Sequence, residues 1–241
     1  ARADVLLKAQ GLTQGTVGER IAALGRDPSQ LYPNTDEGKE QLLVDLNAQM
    51  ADMAKRLPEY FGRIPASTVE IRRVPVFIEA GAPGGYYNSP ALDGSRPGAY
   101  YINLRDTSEW PRMQLPTLTY HEASPGHHHQ IALQQEQADR PLLMKVLGFS
   151  AYSEGWALYS EQLADEMGVY ADNPVGQIGY LQSLLFRATR LVADSGLHHK
   201  RWSREQTIRY MVDTLGDSET AVTTEVERYC VWPGQASSYK V

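Results

Sequence analysis

Thr119-Tyr120-His121-Glu122-Ala123-Ser124-Pro125-Gly126-His127-His128-His129-Gln130 is the stretch on which the reading of this chain turns. It enters as a helix and cannot continue as one. Pro125 removes a backbone donor and clashes with the preceding turn, and Gly126 permits unusual dihedrals, so a kink or bulge is expected here. In a straight helix His121 and His127 would lie roughly 9 Å apart along the axis and about 120° out of phase, too far to share a ligand. A bulge swings His127, or failing that His128, back toward His121. Irregular turns inside helices often accompany functional sites.

The residue types point to a metal. Two histidines on one helical face, with a glutamate beside the first, are the elements of a catalytic zinc site in which the glutamate is the general base. Position 125, where the second histidine of that pattern normally stands, is proline, so the second ligand must come from past the break. Zinc in catalytic sites takes three protein ligands and leaves one position open. By sequence alone Glu136, Asp139, Glu154, Glu161 and Asp165 are all available as the third. Glu154 stands among bulky apolar residues in Ser153-Glu154-Gly155-Trp156-Ala157-Leu158-Tyr159, where a carboxylate is costly unless paired or metal-bound. The bland alternative makes it a first-turn residue behind a Ser153 cap.

Outward from this stretch the chain is helical on both sides of a short β region. After Asn34-Thr35, the series Leu42, Leu43, Leu46, Met50, Met53 and Leu57 follows the helical period until Pro58 and Gly62. Shorter helical patterns cover about residues 4–11 and 15–25. Asn173-Pro174 caps a helix in which Ile178, Leu181, Leu185, Ala188 and Val192 form the apolar stripe. Ser203 to Gln206 fits a capping box, and a final helix runs from Ser218 to about Val231. Between the helices, Val69–Ile78, interrupted by Pro75, and Ala99–Leu104 read as strands, with Gly81–Tyr87 as turns and loops. The expectation is a mainly α fold with a small β-sheet or hairpin carrying exposed tyrosines. The chain, 1–241, reads as a single catalytic domain.

Composition narrows the function. The 241 residues include 23 basic and 29 acidic side chains, for a net charge of −6. With no basic block, the chain lacks the footprint that supplies most affinity for nucleic acid or anionic membrane. No apolar run approaches the roughly 18 residues of a transmembrane segment. One cysteine, Cys230, builds neither a disulfide nor a thiolate metal site and reads as a core residue. There is no Gly-x-Ser-x-Gly elbow, and Gly81–Gly85 is no phosphate loop. The stretch from Ala1 lacks a signal-peptide pattern; a signal upstream would place the protein outside the cytoplasm.

Taken together, the motifs resemble a bacterial family catalogued as domain of unknown function 885, grouped with the gluzincin zinc metallopeptidases. The resemblance rests on His121-Glu122-x-x-Pro125-Gly126-His127-His128-x-Gln130 and Glu154-Gly155-Trp156-Ala157-Leu158-Tyr159. It also rests on Asp194-Ser195-Gly196-Leu197-His198 with Trp202-Ser203, and on Arg228-Tyr229 with Pro233-Gly234-Gln235-Ala236 and Tyr239. It implies a gluzincin-like catalytic region and the C-terminal portion of a longer protein. His121, His127 and Glu154 would be Zn2+ ligands, with His128 as an alternative to His127, and Glu122 would be the base. The implied reaction is hydrolysis of a peptide or amide substrate. Candidate oxyanion donors are His198, Arg228, Tyr229 and Tyr239. The bland readings are that Arg228 pairs with Glu225 or Glu227 and that His198-His199 closes a helix. The strand Ala99–Leu104 stands where related enzymes have a substrate-aligning edge, so an extended peptide would add there, with Tyr86, Tyr87, Tyr100 or Tyr101 forming pockets. The alternative function is a non-catalytic, metal-containing protein that binds peptides or cell-wall fragments. Retention of Glu122 speaks against it, because a purely structural site needs no base.

Overall fold

A computed structural model describes residues 1–239. The order is α1 (Arg2–Ala9), α2 (Val17–Gly25), α3 (Asp36–Tyr60), β1 (Val69–Arg73), β2 (Gly85–Asn88), β3 (Gly98–Ile102), α4 (Leu115–Glu122), α5 (His127–Gln135), α6 (Leu142–Val146), α7 (Ser150–Glu166), α8 (Pro174–His198), α9 (Arg204–Leu215) and α10 (Glu219–Val231), with short 3-10 turns between. The fold is mainly helical with one small sheet. No helix of the described residues is long and apolar enough to cross a membrane.

The caps are local chemistry. Thr16 and Glu19 form a reciprocal capping box on α2, Thr35 accepts from Gly38 N at the start of α3, and Asn173 accepts from Gly176 N at the start of α8. Ser203 caps α9 through the Gln206 amide, the one half of the expected box that the geometry provides. Pro58 lies inside the last turn of α3, which ends two residues later.

The sheet differs from expectation in two ways. Gly85–Asn88 is a strand, so β3 is central: parallel to β1 on one side (Ile71 opposite Tyr100) and antiparallel to β2 on the other (Tyr87 opposite Tyr100). Ala99–Leu104 is therefore no edge that a peptide could join, since both flanks of its ladder are already paired. Nor does the sheet display its tyrosines: Tyr100 is fully buried, and Tyr86, Tyr87 and Tyr101 are partly covered.

One face of the sheet packs on α3 and α4 through Leu42, Leu46, Ile71, Tyr100, Ile102, Leu104 and Leu115. A second cluster (Met53, Leu57, Tyr120, Ala164, Met167, Tyr170, Tyr180) joins α3, α4, α7 and α8. A third (Ala193, Ile208, Met211, Leu215, Val222, Val226, Tyr229) joins α8, α9 and α10. The expected stripe of α8 holds at Ile178, but Ala188 and Val192 point outward. Gln182, Thr189, Arg190 and Asp194 are buried instead: Gln182 and Arg190 line a cavity, and Asp194 accepts from Gly234 N and Ser237 Oγ. Cys230 is exposed rather than in the core: the buried face of α10 is Val222, Val226 and Tyr229, and the next residue lies about 100° round the helix. Exposed large apolar side chains gather in sequence on α6 and the start of α7: Leu142, Leu143, Met144, Val146, Leu147, Phe149 and Tyr152, each 47–69% exposed.

Candidate metal centre

The helix entering at Leu115 stops at Glu122, and a new one starts at His127. Gly126 makes this tight reversal possible. A β-carbon there would collide with the main-chain oxygens of Tyr120 and His121, so only glycine lets the loop fold back on the end of α4. His128 N–H then donates to Ala123 O at 3.1 Å, and Trp156 Nε1 of α7 donates to Pro125 O at 2.9 Å, pinning the loop from the other side. The imidazoles of His121 and His127 consequently lie with ring centroids 4.8 Å apart.

Glu154 completes the group from α7. Its Oε2 is 3.5 Å from both His121 Nε2 and His127 Nε2, and ligand atoms of the three residues lie within 4.8 Å of one another. Oε2 is buried and has no hydrogen-bond partner, while Oε1 accepts from Gln235 Nε2 at 3.3 Å. Glu154 does not stand behind a Ser153 cap: α7 begins at Ser150, and Ser153 Oγ instead lies 3.2 Å from His127 Nδ1.

A second carboxylate supports the first histidine. His121 Nδ1 donates to Glu161 Oε1 at 2.8 Å, leaving Nε2 free toward Glu154. Glu161 is fully buried, accepts from Ser183 Oγ at 2.6 Å, and faces Arg187 Nη2 at 3.5 Å. A carboxylate behind a ligating histidine fixes its tautomer and raises its basicity. Glu161 stands seven residues after Glu154 and so on the same face of α7, which is the signal in the sequence that singles it out. The other acidic candidates are occupied elsewhere or exposed: Glu136 accepts from Ala66 and Ser67 amides, Asp165 pairs with Arg2, and Asp139 faces solvent.

Charge behaves accordingly. Burial alone would lower the pKa of His121, but Glu154 and Glu161 outweigh it and raise it to about 9. Burial works the other way on Glu154, yet the His121 and His127 imidazoles hold its carboxyl well below the usual range. A cation held between these groups would take over the role of those protons, the coupling expected of metal ligands. Donor set, convergence and the orphaned oxygen all fit a two-histidine, one-carboxylate zinc site.

His128 is excluded as an alternative ligand by its own bonds. Nε2 donates to Ser67 O at 2.9 Å and Nδ1 accepts from Tyr87 Oη at 2.9 Å, so neither nitrogen is free. Burial lowers its pKa, consistent with a neutral ring. His129 is buried against Phe61 and Trp156, with its pKa lowered to about 4 by desolvation first and by His128 second.

The group opens on a cavity of about 1340 Å³, whose lining includes His121, Glu122, His127, Glu154 and Tyr239. Glu122 is buried at the end of α4 beside the ligand group. Of the candidate donors, Tyr239 lines the cavity with its ring 6.0 Å from that of His121. Arg228 lines it too but pairs closely with Glu225. His198 and Tyr229 do not line it: His198 ends α8 and donates to Tyr229 O at 2.9 Å, and Tyr229 is buried in the third core cluster. Tyr86 and Tyr87 line the cavity, with Tyr87 committed to His128. Tyr100 and Tyr101 do not, since Tyr100 points into the core and Tyr101 stacks on Tyr86 with centroids 5.1 Å apart. Arg187 and Arg190, unremarked in the sequence because they interrupt an apolar helix, both face the cavity.

Comparison with known proteins agrees with this architecture. The family described as "Bacterial protein of unknown function (DUF885)" matches residues 1–241. A crystal structure from Colwellia psychrerythraea, described as a "putative lipoprotein", is 51% identical with a TM-score of 0.96 over 98% of this chain and 40% of that one. A second, from Shewanella oneidensis and described as a "putative lipoprotein of unknown function", is 18% identical with a TM-score of 0.76 over 99% and 44%, which speaks to fold alone. The chain thus spans about two fifths of the length of either solved protein. Among curated proteins none matches.

Proposed function

Because the chain belongs to the DUF885 family, whose description leaves function open, we propose its activity from the cavity itself: zinc-dependent hydrolysis of a peptide or amide bond, with the gluzincin-like assignment of His121, His127 and Glu154 as ligands. The observation that carries this reading is Glu154 Oε2, buried, without a hydrogen bond, and equidistant at 3.5 Å from two imidazole nitrogens. A buried carboxylate oxygen left unpaired is costly, and a cation removes the cost.

Zinc held there would supply Lewis-acid polarisation of the scissile carbonyl and a lowered pKa for water. Glu122, next to His121 in the chain and lining the same cavity, takes the proton of the attacking water and passes it to the leaving nitrogen as the C–N bond breaks. Tyr239 is the donor best placed toward the carbonyl oxygen. Glu161 holds the His121 ring with Nε2 inward, and Ser153 does the same duty for His127 at Nδ1. Tyr87 and Ser67 keep His128 out of the way.

The test is Glu122→Gln with metal analysis and a mixture of peptides read by mass spectrometry. Wild type should bind one zinc per chain and cleave a subset of the peptides, while the variant keeps its zinc and cleaves roughly a thousandfold more slowly. Unchanged cleavage by a zinc-loaded variant sinks the mechanism. Zinc binding without cleavage by wild type favours the non-catalytic, peptide-binding alternative.

A further inference from the structure

Arg190 is a buried cation held by a neutral amide. It is only 3% exposed, yet it lines the cavity. Its Nη2 donates to Gln235 Oε1 at 2.7 Å, its Nε is buried with no acceptor, and no carboxylate of the described residues forms an ion pair with it. A guanidinium carries five donors. The rest of its surroundings are aromatic faces: Tyr239 at 4.4 Å, Tyr229 at 5.2 Å and Phe186 at 5.3 Å from its central carbon. These rings favour a cation but offer no negative charge.

Among the described residues, none of the acidic groups nearby forms an ion pair with Arg190. Glu161 serves His121, Ser183 and Arg187. Glu225 pairs with Arg228 through Oε1, while its Oε2 is buried without a hydrogen bond. Glu154 is separated from Arg190 by Gln235, whose amide accepts from the arginine on one side and donates to the carboxylate on the other. Gln235 thereby fixes Arg190 in place without neutralising it. The Tyr239 ring sits between the two functions, 4.4 Å from the Arg190 guanidinium carbon and 6.0 Å from the His121 ring. Arg190 and the candidate ligand group therefore line the same cavity on either side of one ring.

We propose that Arg190 is the receptor for a carboxylate of the substrate, so that the preferred substrates are peptides bearing a carboxylate within a residue or two of the scissile amide. Naming the ligand a substrate rests on the hydrolase reading above; the carboxylate site itself does not. Planar guanidinium and carboxylate pair through two parallel hydrogen bonds, and in a site shielded from water this geometry discriminates strongly against a neutral amide. The carboxylate has two sources, a free C-terminus or an acidic side chain, which the same experiment separates.

The experiment is calorimetric binding to chelator-treated protein, which needs neither metal nor turnover. The probes are N-acetyl-Ala-Phe-Ala, its C-terminal amide, and N-acetyl-Ala-Phe-Glu amide. Wild type should bind the free acid at least tenfold more tightly than the amide. Recovery of that affinity by the glutamyl amide assigns the site to side-chain carboxylates as well, and no recovery assigns it to C-termini. Arg190→Gln should bind acid and amide within about twofold of each other, with Arg190→Lys retaining part of the preference. Equal binding of acid and amide by wild type, or no binding of any probe, overturns the proposal. So does a preference that survives in folded Arg190→Gln. Should the variants fail to fold, a wild-type crystal soaked in the free acid decides: the carboxylate lies on the Arg190 guanidinium or the proposal is wrong. A carboxylate preference in protein that takes up no zinc would leave this site standing while removing the hydrolase reading, and zinc-dependent cleavage of acid and amide alike would do the reverse.

Discussion

The six histidines fall into two groups that the fold treats in opposite ways. His121, His127, His128 and His129 are drawn inward around the break between α4 and α5, where each ring has a distinct set of partners. His198 and His199 end α8 at the surface, one donating to a main-chain carbonyl and the other serving as the helix cap. Both groups are dense in sequence, but only the first converges. The difference is a backbone reversal, backed by carboxylates from a neighbouring helix that arrive already buried.

The sharpest way to break this contrast is to remove one ring from each group. His127→Ala should weaken zinc binding by roughly a thousandfold or more, whereas His198→Ala should leave it unchanged, both read by competition with a metal indicator. If the two behave alike, convergence has no bearing on the metal. Next in size is the reversal itself. Gly126→Ala forces a β-carbon onto the carbonyls of α4 and should cost on the order of 3 kcal/mol or more of stability, or prevent folding, as measured by denaturant unfolding.

Acid should separate the groups as well. His129 has a folded pKa of about 4, below its unfolded value of 6.5, so its neutral form is favoured by folding. Its contribution is complete above 6.5 and is lost as pH falls from there through 4, up to roughly 3 kcal/mol. His129→Leu should flatten stability over that window, and an equally steep acid limb in the variant would assign the loss to other groups. The smallest of these effects concerns the support behind the ligands: Glu161→Gln should weaken zinc binding about 10- to 100-fold with the fold retained. Affinity equal to wild type would mean that orientation of His121 is set by packing alone.

Much of this was legible beforehand because the relevant signals are local. Pro125-Gly126 announces the break, and the side-chain caps at Thr35 and Asn173 announce helix starts. Hydrophobic periodicity finds α3, whose buried face is Leu42, Leu46, Met53 and Leu57. It misplaces α8, because a helix that lines a polar cavity buries Gln182 and Arg190 where apolar residues would otherwise stand. Strand β2 is hidden by its surroundings: four residues, Gly85–Asn88, preceded by Gly-Ala-Pro-Gly punctuation, carry too little alternation to be distinguished from a loop. Its pairing to β3 is long-range, and with it goes the edge that a peptide would have used. The choice of His127 over His128 depends on Tyr87 and Ser67, partners about 40 and 60 positions upstream whose proximity no spacing rule predicts.

The apolar ridge formed by Leu142–Leu147, Phe149 and Tyr152 has a practical consequence for anyone measuring the stabilities above. Environment-sensitive dyes such as ANS light up on contiguous apolar surface, which is ordinarily taken as the mark of a molten globule. This chain exposes seven large apolar side chains in that one segment while fully folded. Its native baseline in a dye-based melt will be bright, and the dye signal will understate unfolding. Near-ultraviolet circular dichroism, which responds to fixed aromatic packing such as that of Trp156 against the Pro125 loop, reports the transition without that background.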